Sequence, residues 1–65
     1  MKCKEEGCIG EVDMEKPVTL QIGCHSHDSA YPCQVCGRLH WGSGNAVFSR
    51  GGQKVYLENG NIVNK

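Results

Sequence analysis

Cys3 and Cys8 are separated by four residues, Cys33 and Cys36 by two, and a fifth cysteine, Cys24, stands between the pairs. Three histidines accompany them: His25 and His27 follow Cys24 at once, and His40 lies four residues after Cys36. A short cysteine loop bends the chain so that both sulfurs point inward. A glycine just after or near its second cysteine, here Gly10 or Gly37, lets backbone amides approach the thiolates and offset part of their charge. Two such half-sites brought together supply four sulfurs in a tetrahedron, the arrangement of a closed structural zinc site.

The rest of the composition favours metal over disulfides. The opening stretch, "MKCKEEGC", is charged and lacks the apolar run of a signal peptide, and the longest apolar run, "AVF", is too short to cross a bilayer. The expected location is therefore the cytoplasm, where thiols stay reduced, and an odd number of cysteines would leave one unpaired in any disulfide framework. A chain of 65 residues sits where a hydrophobic core alone is marginal, so a staple is expected. Formal net charge is zero. Four thiolates around one divalent ion would leave the site with about two negative charges and move the chain to the acidic side.

The elements that must bring the cysteines together read as strands. Nine glycines and short apolar runs favour turns and strands, and no window of a dozen residues carries a helical period. Folding the chain about Lys16, with Glu15–Lys16–Pro17 as the loop, faces Met14 with Val18, Val12 with Leu20 and Gly10 with Ile22. The other face then pairs Asp13 with Thr19 and Glu11 with Gln21, as a half-buried hairpin over 9–14 and 18–23 requires. That register sets Cys8 opposite Cys24, with Cβ atoms roughly 5 Å apart. Cys24 could then replace Cys3 as a ligand, take a redox role, or stand as a small inert hydrophobe. Residues 24–32 read as a polar loop in which His25, His27 and Asp28 are solvated. With Cys24 and His40 the histidines could in principle make a second metal site.

From Ala46 onward, "GG" at 51–52 and "NG" at 59–60 are hairpin signals between strand-like runs at about 46–50, 53–58 and 61–64. The expected register puts Ala46, Phe48, Val55, Leu57 and Ile62 on a core face and Val47, Tyr56 and Val63 on the other. No repeat or linker divides the chain, so one domain over 1–65 is expected.

"CKEEGCIGEV", the hairpin after it and "CQVCGRL" resemble the zinc-ribbon family, in which two cysteine knuckles clasp one zinc at the end of a β-hairpin. The resemblance covers residues 3–41 and leaves 42–65 as a β-meander; the first knuckle departs from the usual pattern in having four intervening residues instead of two. It implies Cys3, Cys8, Cys33 and Cys36 as ligands of one Zn²⁺ ion. The fold class expected is a small metal-stapled all-β domain, a zinc ribbon with a C-terminal three-stranded antiparallel meander. "CQVCG" is also similar to a rubredoxin knuckle, and four thiolates accept iron as well as zinc, which would make the chain an electron carrier; the wide first loop favours zinc.

A catalytic zinc needs an open coordination position, which four thiolates do not leave, and the carboxylates show no pairing pattern, so no enzyme and no small-molecule substrate are expected. Without a membrane segment, the partners expected are another protein or a nucleic acid. Near-neutral charge and scattered lysines and arginines favour the first, with the stripe of Val47, Tyr56 and Val63 or the knuckle surface as the contact; for nucleic acid, Arg38, His40 and Trp41, beside the second knuckle, are the best local candidate for a binding surface.

Overall fold

The computed structural model describes all residues, Met1–Lys65, and contains no helix. No helix is therefore long and apolar enough to cross a membrane. Five strands follow in chain order: β1 Val18–Gln21, β2 His27–Pro32, β3 Leu39–Trp41, β4 Val55–Glu58 and β5 Asn61–Asn64. They form a three-stranded antiparallel sheet in the order β1-β2-β3 and a two-stranded sheet β4-β5. The protein is thus all-β, with the two sheets folded around a core of Leu20, Ala30, Leu39, Val47 and Val55.

The expected 9–14/18–23 hairpin does not form. β1 pairs instead with β2, Val18 opposite Ala30 and Gln21 opposite His27. The segment before it runs along the second knuckle, where Val12 bridges Cys33, Asp13 N–H donates to Pro32 O (2.8 Å) and Gln34 N–H to Glu11 O (2.9 Å). Val12 and Leu20 are buried as the alternation required, but Met14 and Ile22 are exposed. The polar "HDSAYP" run, expected as a loop, is the central strand. It turns only Ala30 fully inward, and hydrogen bonds to a strand on each side, which composition does not encode, make it a strand.

The β4–β5 hairpin forms where "NG" placed it. Asn59 (φ 53°) and Gly60 (φ 81°) are both left-handed, as the type I′ turn between Glu58 and Asn61 demands. The 46–50 run is not a regular strand and joins through single bridges, His40 with Ala46 and Phe48 with Lys54. Its facing is the reverse of the expected one: Val47 N–H donates to Leu39 O (3.0 Å), which turns the Val47 side chain into the core. Phe48 is correspondingly 57% exposed and Ile62 46%.

Candidate metal centre

Two loops present the cysteines. In the first, Cys8 N–H donates to Glu5 O (3.1 Å), closing the turn, and Cys3 N–H donates to Gly10 O (3.1 Å) across its mouth. In the second, Gly37 N–H donates to Cys33 O (3.1 Å) and Cys33 N–H to Arg38 O (2.9 Å). Gly37 has φ +80°, and a Cβ there would lie 2.4 Å from Leu57 O. Only glycine lets the second loop turn this tightly against β4 and accept the Leu57 N–H at 2.8 Å. Gly10 is required for a different reason, since a Cβ would meet Cys33 Sγ at 2.8 Å and Val35 at 2.6 Å. The two loops touch there.

The four sulfurs of Cys3, Cys8, Cys33 and Cys36 all lie within 4.8 Å of one another. Cys3 Sγ is 3.5 Å from Cys36 Sγ, and Cys8 Sγ is 3.7 Å from Cys33 Sγ. A tetrahedron with metal–sulfur bonds of about 2.3 Å has edges of about 3.8 Å, so these sulfurs are already at ligand spacing. In each loop the amide two residues beyond a cysteine reaches back to its sulfur: Glu5 N–H to Cys3 (3.3 Å), Gly10 N–H to Cys8 (3.4 Å) and Val35 N–H to Cys33 (3.4 Å). The Arg38 amide does the same for Cys36. The wide first loop therefore solvates its thiolates by the same amide geometry as the narrow second one.

Electrostatics set the sulfurs apart. Burial opposes ionisation of Cys33, but the amides of Cys36 and Val35 and hydrogen bonds from Cys3 and Cys36 outweigh it and bring its thiol down to about 7. Burial pushes Cys3 strongly up against the opposing Glu5 amide, and its bonds to Cys36, Cys33 and Cys8 add to the rise. Burial also raises Cys36. Four crowded sulfurs cannot all ionise together without a cation, which is the donor set a divalent metal ion fits.

Around the sulfurs lies a polar shell that sequence reasoning missed. The Glu5 carboxylate, 13% exposed, accepts from Tyr56 O–H, Arg38 Nη1 (3.2 Å) and Lys54 Nζ (3.1 Å). The Tyr56 hydroxyl first of all holds Glu5 well below the usual carboxylate range, at about 2, with Lys54 and Arg38 adding to this against the opposing effect of burial. Arg38 also donates from Nη2 to Val47 O (3.3 Å) and lies between the rings of Phe48 (4.8 Å) and Tyr56 (5.7 Å). His40 Nε2 accepts from Lys4 N–H (2.9 Å) while its Nδ1 donates to Arg38 O (2.9 Å), which defines a neutral tautomer beside the first loop. The only signals in the sequence were the position of Glu5 inside the first loop and that of His40 one strand beyond the second.

The proposed Arg38–His40–Trp41 surface is corrected by this geometry. Arg38 is 2% exposed and His40 fully buried, because β3 lies between β2 and the 45–48 segment and both its faces are covered; only Trp41 remains half-buried. Cys24 is exposed in the turn between β1 and β2, outside the sulfur cluster, since the hairpin that would have returned it to Cys8 is replaced by β1–β2. His25 and His27 are exposed in and after that turn, so no second cluster with His40 forms.

Comparison with protein-family models, with curated proteins and with solved structures finds no match to this chain.

Proposed function

We propose that this chain is a structural-zinc domain: one Zn²⁺ bound by Cys3, Cys8, Cys33 and Cys36 staples two loops together and so holds a small surface in shape for another protein. The four-sulfur cluster carries the reading. Every member has a backbone amide directed at it, and four sulfur ligands close a tetrahedral coordination sphere, the donor set of a structural and not a catalytic ion. Binding free energy for such sites, on the order of 10 kcal/mol or more in small domains, is largely folding free energy. Native mass spectrometry should find one zinc per chain, and a strong chelator at neutral pH should collapse amide dispersion. A cadmium-substituted sample should couple the metal to the β-protons of these four cysteines and not of Cys24. A red, iron-loaded protein isolated from its own cell would replace zinc by iron and the staple by an electron carrier.

A protein partner is favoured over nucleic acid by where the cations are. Of the seven cations Arg38 is buried, Lys54 pairs with Glu5 and Lys65 with Glu58; of the unpaired Lys2, Lys4, Lys16 and Arg50, only Arg50 lines the groove where Ile22, Phe48 and Ile62 are exposed. Phosphate binding depends on several free basic contacts. Titration with RNA and DNA at low salt should leave the amide spectrum unchanged; saturable shifts at lysine and arginine positions would overturn the protein-partner reading.

A further inference from the structure

The two sheets make a nearly closed wall. β1 pairs with β2 and β2 with β3; beyond β3, Trp41 N–H donates to Asn45 O (2.8 Å) and Val47 N–H to Leu39 O. Phe48 then bridges Lys54, Arg38 bridges Tyr56, and β4 pairs with β5. No hydrogen bond joins β5 back to β1. At that gap lies a groove of about 690 Å³, walled by Gln21 and Ile22 on one side and Ile62 and Asn64 on the other, with Phe48 and Arg50 at its rim.

The phase of the ladders decides what the walls offer. Residues of an antiparallel strand turn their main-chain groups alternately toward the two neighbouring strands. Ile22 N–H donates to Ser26 O (2.9 Å), so Leu20 and Val18, in step with it, bond to β2, and Thr19 and Gln21 point their N–H and C=O groups into the open. Lys54 and Lys65 exchange both main-chain bonds (2.9 and 2.8 Å), so Tyr56–Val63 and Glu58–Asn61 are the bonded pairs of the hairpin. Ile62 and Asn64 then face away from β4. Leu57, opposite Ile62, confirms the phase by bonding outward to Gly37. Each wall of the groove is thus a free strand edge.

We infer that this gap receives an extended segment of a partner protein, inserted between β1 and β5, apolar in alternation and carrying an acidic residue opposite Arg50. The inference rests on the protein-partner reading above and names its site. Two rows of unpaired main-chain groups match a strand, which carries donors and acceptors on both edges; a helix satisfies its own and leaves both rows bare. Alternate side chains of that strand would meet the exposed Ile22, Phe48 and Ile62. Arg50 makes no ion pair, and the groove lining includes no carboxylate, so the one fixed charge there is positive. A second copy offers β1 "VTLQ" and β5 "NIVN", neither of which holds an acid to meet Arg50.

The test is selection of displayed random peptides of about nine residues, longer than a typical strand, against the zinc-loaded chain, with a library of folded domains selected in parallel. The expected binders alternate apolar residues with at least one Asp or Glu, and shift the amides of Thr19, Gln21, Ile62 and Asn64. N-methylation of a peptide amide that faces either wall should weaken binding by about tenfold, the worth of a main-chain hydrogen bond. Arg50→Glu should turn the preference from acidic to basic peptides. Peptides insensitive to N-methylation, or binders that map to another face, would overturn the strand site while leaving the protein-partner reading in place. So would self-association of the chain through these edges. Failure of both libraries to yield any binder would overturn the two together.

Discussion

Replacing Glu5 by Gln removes the one carboxylate that faces Arg38 while keeping an oxygen that can accept from Tyr56. Lys54, 47% exposed, returns to water at a cost of about 0–1 kcal/mol. Arg38 cannot: it is 2% exposed, its Nε already lacks a partner, and it keeps only neutral acceptors, the amide oxygen it shares with Tyr56 and Val47 O, besides two ring faces. Stranding a buried cation in this way costs about 3 kcal/mol, a large share of the roughly 3–10 kcal/mol total for a chain this short. At a urea slope of about 1 kcal/mol per M, the unfolding midpoint of the zinc-loaded variant should fall by roughly 3 M at fixed free zinc. Because Arg38 is the origin of the penalty, Glu5→Gln with Arg38→Met should be more stable than Glu5→Gln alone. The difference should also be flat from about pH 5 to 8. Glu5 is lowered from 4.5 to about 2 on folding, so its contribution is complete above the unfolded value and is lost only as pH falls through the range between them. A loss under about 0.5 kcal/mol, the worth of a surface pair, would refute the argument.

Other perturbations separate the parts of the fold. Serine at Cys3, Cys8, Cys33 or Cys36 should abolish stoichiometric metal uptake in mass spectrometry, whereas Cys24→Ser, in an exposed turn, should leave uptake and unfolding unchanged. His40 is held neutral chiefly by burial, its folded value below the ordinary 6.5, so stability should be full above that value and decline as pH falls below it, with a slope of up to about 1.4 kcal/mol per pH unit. That share of the slope should vanish in His40→Gln. Gly37→Ala must relieve both a left-handed backbone and a 2.4 Å approach to Leu57 O, and should cost at least about 2 kcal/mol and speed amide exchange at Leu57. Gly60→Ala, with nothing within 4 Å, should cost only the left-handed penalty of about 1 kcal/mol.

Local chemistry was legible in the sequence wherever the determining residues are neighbours. The two cysteine loops carry their turns, glycines and sulfurs within a few residues, so the grouping of Cys3, Cys8, Cys33 and Cys36 could be proposed before any fold was known. The β4–β5 hairpin was legible for the same reason: Asn59 and Gly60 tolerate the left-handed angles that a type I′ turn imposes.

Pairing partners were decided only by the tertiary structure. A period of two shows that Val18–Gln21 has an inner face but not which strand lies beside it, and the polar His27–Pro32 run became the central strand because its main chain is bonded on both sides. That choice moved Cys24 away from the sulfurs and covered Arg38 and His40, whose charge and polarity suggested a surface. The bridge between Arg38 and Tyr56 brought Glu5 and Tyr56, 51 residues apart, into one network. Spacing along the chain determines which groups can share a metal, because short loops limit where their sulfurs can go. Which edges stay open depends on hydrogen bonds between residues far apart in sequence, and no local pattern records those.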